Sequence, residues 1–334
     1  MFQELGISLY CLNFGRMRGF FISGMALRRK LSKLEPAIIH THGLRADCLS
    51  AQLPSQLCRV STQRNIPEQD YPALYGHVLG SFIALLHRRA LQRIPVVVAC
   101  SSTIAQERNN WKSPSLIINN GVDLEICPQL PTAASRNSAR ASLGLSTSGL
   151  VFIYAGPLNK RKNPLFIIRS FQNWKNNANH QLMLVGAGPL QTHCREVTKN
   201  SRNIHVPGHR ADLTPYFCSA DVLISASRAE GFPNAVLEGL AFGLSVLLSD
   251  IPPHREIIES DTRIGRLFLL GQPESLITEL DSFKPNGRDC LAARALVREK
   301  FSATAMSRKY EDLYTDIIGA RLSRGPADIQ VLRK

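Results

Sequence analysis

The chain has 334 residues, 44% of them hydrophobic and 20% charged; this excludes a disordered composition and exceeds one ordinary core, so two domains are expected. Lys and Arg outnumber Asp and Glu by 40 to 26, a formal charge of +14, which calls for an anionic partner; nucleic acid, an anionic membrane surface and a phosphorylated substrate all carry the right sign. No apolar run approaches about 18 residues, so no membrane-spanning helix is expected.

In chain order, short β-branched runs predict strands at 7–12 ("ISLYCL"), 37–41, 96–101, 116–119, 150–156, 181–188, 221–227 and 245–250. Helical periodicity predicts helices at 25–34, 74–92, 164–175 and 292–316, and a further one in "NAVLEGLAFG" (234–243). Such alternation implies parallel sheets covered on both faces. Across "NNGVDLEICPQLPTAASRNSAR" the pattern breaks, giving a linker at roughly 120–145. The resulting division is an amino-terminal domain over 1–130, a second over 131–316, and a tail over 317–334 that frays. Two doubly wound lobes so joined form a cleft, with ligands beyond the carboxyl ends of the strands.

The start, "MFQELGISLYCLNF", has an early acid and no basic leader, unlike a signal peptide. The eight cysteines form no C-x-x-C pair and read as reduced thiols of a cytoplasmic protein. Basic clusters at "LRRKLSK" (27–33) and "HRRALQR" (87–93) suit a peripheral contact with an anionic membrane, on its inner face. A nucleic-acid partner is not expected, because aromatic residues are only 7% and no recognition-helix module is present.

Four stretches carry chemistry. In "RAEGFPNAVLEGL", Glu230 sits in the loop after a buried strand and Glu238 one turn into a helix that Asn234 caps. The free N–H groups of that helix start attract phosphate by roughly 0.3–2 kcal/mol, and the carboxylates accept hydrogen bonds from hydroxyls. Taken alone, the pair reads more readily as solvated acids. "YAGPLNKRKNP" places Lys160, Arg161 and Lys162 after a strand, either as a solvated loop or to neutralise a diphosphate. In "LVGAGPL", Gly186 and Gly188 let backbone approach a ligand, or form a tight turn; the third glycine of a dinucleotide fingerprint is missing. In "IIHTHG", His40 and His42 are too few for a metal site, so no metal is expected, and a neutral His42 suits a hydrogen bond to a substrate oxygen.

Taken in order, "IIHTHG", "INNGVD", "YAGPLNKRKN", "LVGAGPL", "NIHVPGHRADLTPYFCSADVLISASRAEGFPNAVLEGLAFGLSVLLSD" and "PPHREII" resemble the family-4 retaining glycosyltransferases, over about residues 5–316. The resemblance implies an α/β protein of the GT-B fold, two Rossmann-like doubly wound parallel-sheet domains facing a cleft. It implies transfer of a sugar from a nucleotide-sugar donor, a UDP-sugar by preference, to a glycan or lipid-linked acceptor in cell-surface polysaccharide or lipopolysaccharide biosynthesis. No cofactor and no metal are implied.

Residue by residue, Glu230 and Glu238 resemble the two acids of the family's E-x7-E motif, on the donor sugar and the nucleotide ribose. The backbone of Phe232, Pro233, Asn234 and Ala235 would hold sugar and phosphate. Lys162 matches the lysine on the diphosphate, and His42 a histidine that reaches the donor sugar. Where the family usually has an arginine after the strand glycine stands Pro157, so Arg161 is assigned that charge. The family usually begins with a strand, glycine-rich loop, helix and second strand ahead of "ELGISLYCL". The expectation is therefore a truncated amino-terminal domain, with a catalytically inactive nucleotide-sugar-binding remnant as the alternative function.

Overall fold

The β-branched runs form strands because their branched side chains fit a pleated surface buried on both faces, and the amphipathic stretches between them form the covering helices. The computed structural model describes residues 6–11, 19–109 and 116–324. The chain divides into two units, the first within Met1–Ala99, Arg108–Leu116 and Asp312–Lys334, the second comprising Cys100–Glu107 and Ile117–Glu311.

The elements run α1 (Gly19–Leu34), β1 (Ile38–His42), α2 (Leu44–Ser50), β2 (Cys58–Gln63), α3 (Pro67–Tyr75), α4 (His77–Gln92), β3 (Val96–Ala99), α5 (Ser102–Asn109) and β4 (Leu116–Ile117). The first sheet has the order β1-β2-β3-β4, with β1, β2 and β3 parallel. Beneath it the Asp47 carboxylate accepts from Thr41 (2.6 Å), Ser61 (2.7 Å) and His87 Nε2 (2.8 Å), and the Tyr71 hydroxyl meets His87 Nδ1 at 2.9 Å. All five side chains are buried, so this satisfied network ties α2, α3 and α4 to β1 and β2. Burial pushes the Tyr71 phenol up to about 12.

The chain continues with α6 (Ala133–Ser142), β5 (Val151–Ala155), α7 (Pro164–Asn173), β6 (Gln181–Val185), α8 (Gln191–Val197), β7 (Ile204–Gly208), α9 (Thr214–Ser219), β8 (Val222–Ser225), α10 (Asn234–Ala241), β9 (Ser245–Ser249), α11 (Pro252–Ser260), β10 (Gly265–Phe268), α12 (Pro273–Ser282) and α13 (Gly287–Lys300) in the second unit, and α14 (Ala303–Arg324), which passes into the first at Asp312. The sheet of the second unit is parallel throughout, in the order β10-β9-β8-β5-β6-β7. Successive strands run outward from β5 to one side and from β8 to the other, so the winding reverses between β5 and β8. Phe152, Phe171, Trp174, Leu182 and Val222 fill the core on one face, each worth roughly 1.5–3 kcal/mol on burial.

Three expectations are corrected. Residues 7–11 form no strand: Ile7, Leu9 and Tyr10 are exposed and pair with no described strand, while Leu12 lies outside the described residues. The linker expected at 120–145 contains α6, capped by Thr132, whose Oγ1 accepts from Ser135 N. Arg140 of α6 is buried and pairs, with Arg136, to Asp221, so the Ser/Ala-rich composition marks a helix docked by two arginines. The helix expected at 292–316 is two, divided at Phe301–Ser302, where Val122 bridges Ser302 and the Ser302 hydroxyl accepts from Ala305 N. Helix α14 runs on to Arg324, and residues 325–334 lie outside the described chain. Midway along this helix Tyr314 places its hydroxyl 2.6 Å from His40 Nδ1.

Candidate active site

A switch in winding direction leaves a crevice at the carboxyl ends of its two strands, and here those ends bear the loops 156–163 after β5 and 226–233 after β8. The loops are joined by backbone, Arg228 N donating to Arg161 O at 2.8 Å. The first is shaped by its own side chains. The Tyr154 hydroxyl donates to Pro157 O (2.7 Å), Asn159 Oδ1 accepts from Lys162 N (2.9 Å), and Asn163 takes a left-handed φ of 54° before Pro164 opens α7. Pro157, in the place of the family's arginine, thus serves as a carbonyl anchor.

This shaping delivers Arg161 and Lys162 to Glu230. Arg161 Nη1 donates to Glu230 Oε2 (2.9 Å) and to Ala229 O (2.7 Å), and Lys162 Nζ pairs with Glu230 Oε1. Glu230 is only 8% exposed. Burial acts to raise its carboxyl, but Lys162 and Arg161 together outweigh burial and hold it below the usual carboxylate range. Lys160 is exposed and stands apart from this cluster.

Glu238 lies in the fifth position of α10, half-buried, its carboxylate with no hydrogen-bond partner among the described residues. Burial raises its carboxyl. The two acids are thus pushed in opposite directions, one clasped by cations and ionised, the other open to a partner. Asn234 does not cap α10: Pro233 is the capping residue, and Asn234 Oδ1 instead accepts from Asn120 Nδ2 at 2.9 Å. Asn120 Nδ2 also reaches Phe232 O at 3.4 Å, and the Phe232 ring lies buried against Phe301. Asn120 therefore fixes the backbone of Phe232–Ala235. The motif "INNGVD" carried this signal only as part of a resemblance.

Gly186 and Gly188 each lie against neighbouring backbone. A Cβ on Gly186 would lie 1.9 Å from Gly156 O, and one on Gly188 would lie 2.5 Å from Leu158 O. They let the loop after β6 stack on the loop that carries the cations, where Leu158 N donates to Ala187 O at 2.9 Å.

Under Glu230 lies a buried polar chain that sequence reasoning missed. Ser227 helps hold the Glu230 carboxyl low, Ser249 Oγ donates to Ser227 O (2.7 Å), and His254 Nδ1 lies 2.9 Å from Ser249 O. A carbonyl only accepts, so Nδ1 carries the proton and Nε2, without a partner among the described residues, keeps its lone pair. Burial drives His254 down to about 4, and it is neutral at physiological pH. In the first unit His42 is exposed at the carboxyl end of β1, its ring 4.4 Å from that of His40. Burial and Arg64 lower it, which favours the neutral form.

Two parallel-sheet α/β units of this kind define the GT-B class of glycosyltransferases. Sucrose-phosphate synthase from Thermosynechococcus elongatus superposes with a TM-score of 0.76 at 19% identity, over 92% of this chain and 81% of that one. HepE from Anabaena in complex with UDP superposes at 0.77 with 16% identity, over 94% and 88%, and HepE has also been solved with UDP-glucose. The protein is a group 1, family-4-like glycosyltransferase: the model of "Glycosyl transferases group 1" matches residues 149–283 and that of "Glycosyltransferase Family 4" residues 4–126. Among curated relatives, the O-antigen biosynthesis glycosyltransferase WclY of Escherichia coli is 25% identical over 84% of this chain and 79% of its own. The UDP-Gal:alpha-D-GlcNAc-diphosphoundecaprenol alpha-1,3-galactosyltransferase of Escherichia coli is 26% identical over 88% and 79%. These relatives do not favour the reading of an inactive remnant.

Proposed function

We propose that this glycosyltransferase moves a sugar from a nucleotide-sugar donor, a UDP-sugar by preference, to a glycan or lipid-linked acceptor in cell-surface polysaccharide or lipopolysaccharide synthesis, with retention and without a metal ion. The observation that carries this reading is the buried Glu230 carboxylate clasped by Arg161 and Lys162 at the switch point of the second sheet. UDP and UDP-glucose bound to HepE support the donor class, and the activities of WclY and the galactosyltransferase support the acceptor class.

When the glycosidic bond breaks, negative charge grows on the departing diphosphate. Lys162 and Arg161 meet that charge, together with the N–H groups at the start of α10. Glu230, held ionised, cannot donate a proton; it accepts hydrogen bonds from the donor sugar and balances positive charge developing at the reacting carbon. Glu238 accepts from the ribose hydroxyls. His42 is a neutral hydrogen-bonding group for the donor sugar, and the acceptor hydroxyl attacks from the face of the leaving group, its proton passing to an oxygen of the departing diphosphate.

The test is calorimetric titration with UDP, GDP and their sugars in the presence of a chelator, followed by donor turnover. UDP-sugar binding with chelator-resistant turnover, lost in Glu230→Ala and Lys162→Ala, is expected. Turnover unaffected by either substitution would remove the assignment, and turnover abolished by chelator alone would remove the metal-independent mechanism.

A further inference from the structure

The stretches "INNGVD" and "PPHREII" meet at Glu256, a partly buried carboxylate in the fifth position of α11 and outside the charge cluster. Both of its oxygens accept from Ser102 N at 3.0 Å, and Oε1 accepts also from Asn119 Nδ2 at 3.1 Å. Ser102 opens α5, where Ile104 N goes to Ser101 Oγ at 3.2 Å, so Glu256 shares in capping that helix. A cap alone has no need of the asparagine. Asn119 Nδ2 reaches Cys100 O as well, at 3.3 Å, and the next residue is Asn120, which holds Phe232 O and Asn234 Oδ1.

Asn120 is thus pinned from both directions along the chain. Behind it stands Glu256, through Asn119. Ahead of it, Val122 N donates to Phe301 O (2.9 Å) and Ala303 N to Val122 O (2.8 Å), and a Cβ on Gly121 would lie 2.5 Å from Ser302 O. A short amide places a neighbouring backbone only as accurately as its own backbone is held. Helix α11 also reaches the other end of the same loop, since His254 Nδ1 donates to Ser249 O and Ser249 Oγ to Ser227 O. Loop 226–233 is therefore braced by one helix where it leaves β8 and where it enters α10, all within the second unit.

We propose that Glu256 is a positioning residue for the donor diphosphate, setting through Asn119 and Asn120 the backbone of Phe232 and Asn234 at the start of α10. Its effect on binding rests on the proposed donor; its effect on the loop rests on the hydrogen bonds alone. Misplacing the N–H groups that meet the departing charge weakens them as a preorganised site.

The experiment combines amide hydrogen exchange with titration by UDP and by uridine, on the full chain. Glu256→Gln exchanges one acceptor for an NH2 that faces donors, whereas Asn119→Ala cuts the path to Asn120 and leaves the Ser102 cap in place. Each is expected to speed exchange of the Val236 and Leu237 amides, which bond Pro233 O. Each should weaken UDP about three- to tenfold and uridine less than about twofold, and Glu256→Gln should add less than about twofold in an Asn120→Ala background. Glu259→Gln, exposed on the same helix, is the control and should change neither. Exchange at Val236 and Leu237 unchanged in both variants would overturn the inference. So would a silent Asn119→Ala beside a damaging Glu256→Gln, which would leave Glu256 a cap only, or equal losses for UDP and uridine, the mark of general loosening. A wild-type chain that binds no UDP would remove the proposed donor instead, and the exchange of the two amides would still decide the role of Glu256.

Discussion

Glu230 occupies the two cations that a diphosphate would need, so carboxylate and ligand compete for the same positive charge. Glu230→Gln is expected to leave UDP affinity within about threefold or to tighten it, while abolishing the advantage of a UDP-sugar over UDP. Lys162→Ala, by contrast, should weaken UDP about ten- to a hundredfold, the worth of one charged hydrogen bond. Isothermal titration decides: equal losses in both variants would place Glu230 on the nucleotide. The acids also separate in pH. Burial raises Glu238 while Glu230 is held low, so as pH falls Glu238 takes its proton first and nucleotide affinity declines while Glu230 is still ionised. A Glu238→Gln variant should lack that acid limb in a pH series of Kd.

The loops owe their shape to neighbouring elements, and this is where substitutions remote from the charges should be felt. Gly186→Ala drives a Cβ into Gly156 O and is expected to cost about 2 kcal/mol or more in urea unfolding, with donor affinity falling because the cation loop shifts. Gly287→Ala, where a Cβ meets nothing within 4 Å, is the control and should be neutral or slightly stabilising. At this scale the sequence was legible wherever an apolar run was strongly patterned, as for β5, β6, β8 and β9. Strand β2, "CRVSTQ", was missed because its polar residues are buried: Arg59 donates to Ser50 O, and Ser61 to Asp47. Strands β7 and β10 lie at the sheet edges, short and interrupted by Pro207 or opened by Gly265. The residues of the charge cluster could be named in advance because they are local to motifs. Asn120, Ser249 and His254 could not, since each acts on a segment far along the chain and only the fold shows which.

At the scale of the whole molecule, burial favours the neutral form of several described histidines and acts furthest on His40 in the first unit and His254 in the second, both lowered to about 4. The unfolded chain binds protons at these sites near pH 6.5, whereas the folded chain does not until about 4. Their stability contribution is therefore complete above about 6.5 and is lost as pH falls toward 4. Urea midpoints measured from pH 7 to 5 should fall, and His254→Asn, which retains a donor toward Ser249 O, should flatten that slope; an unchanged slope would assign the acid sensitivity elsewhere.

The division of the chain has a practical corollary for anyone who cuts it. Each unit is assembled from separated stretches, with the last helix contributing to both: Met306 Sδ accepts from Gly121 N in the second, and Tyr314 meets His40 in the first. No single scission frees either unit intact. Deleting everything after Glu311 would strip β1 of its tyrosine partner more than 270 positions away in sequence, so a nick near the carboxyl end should register as loosened amide protection around His40, at the opposite end of the polypeptide.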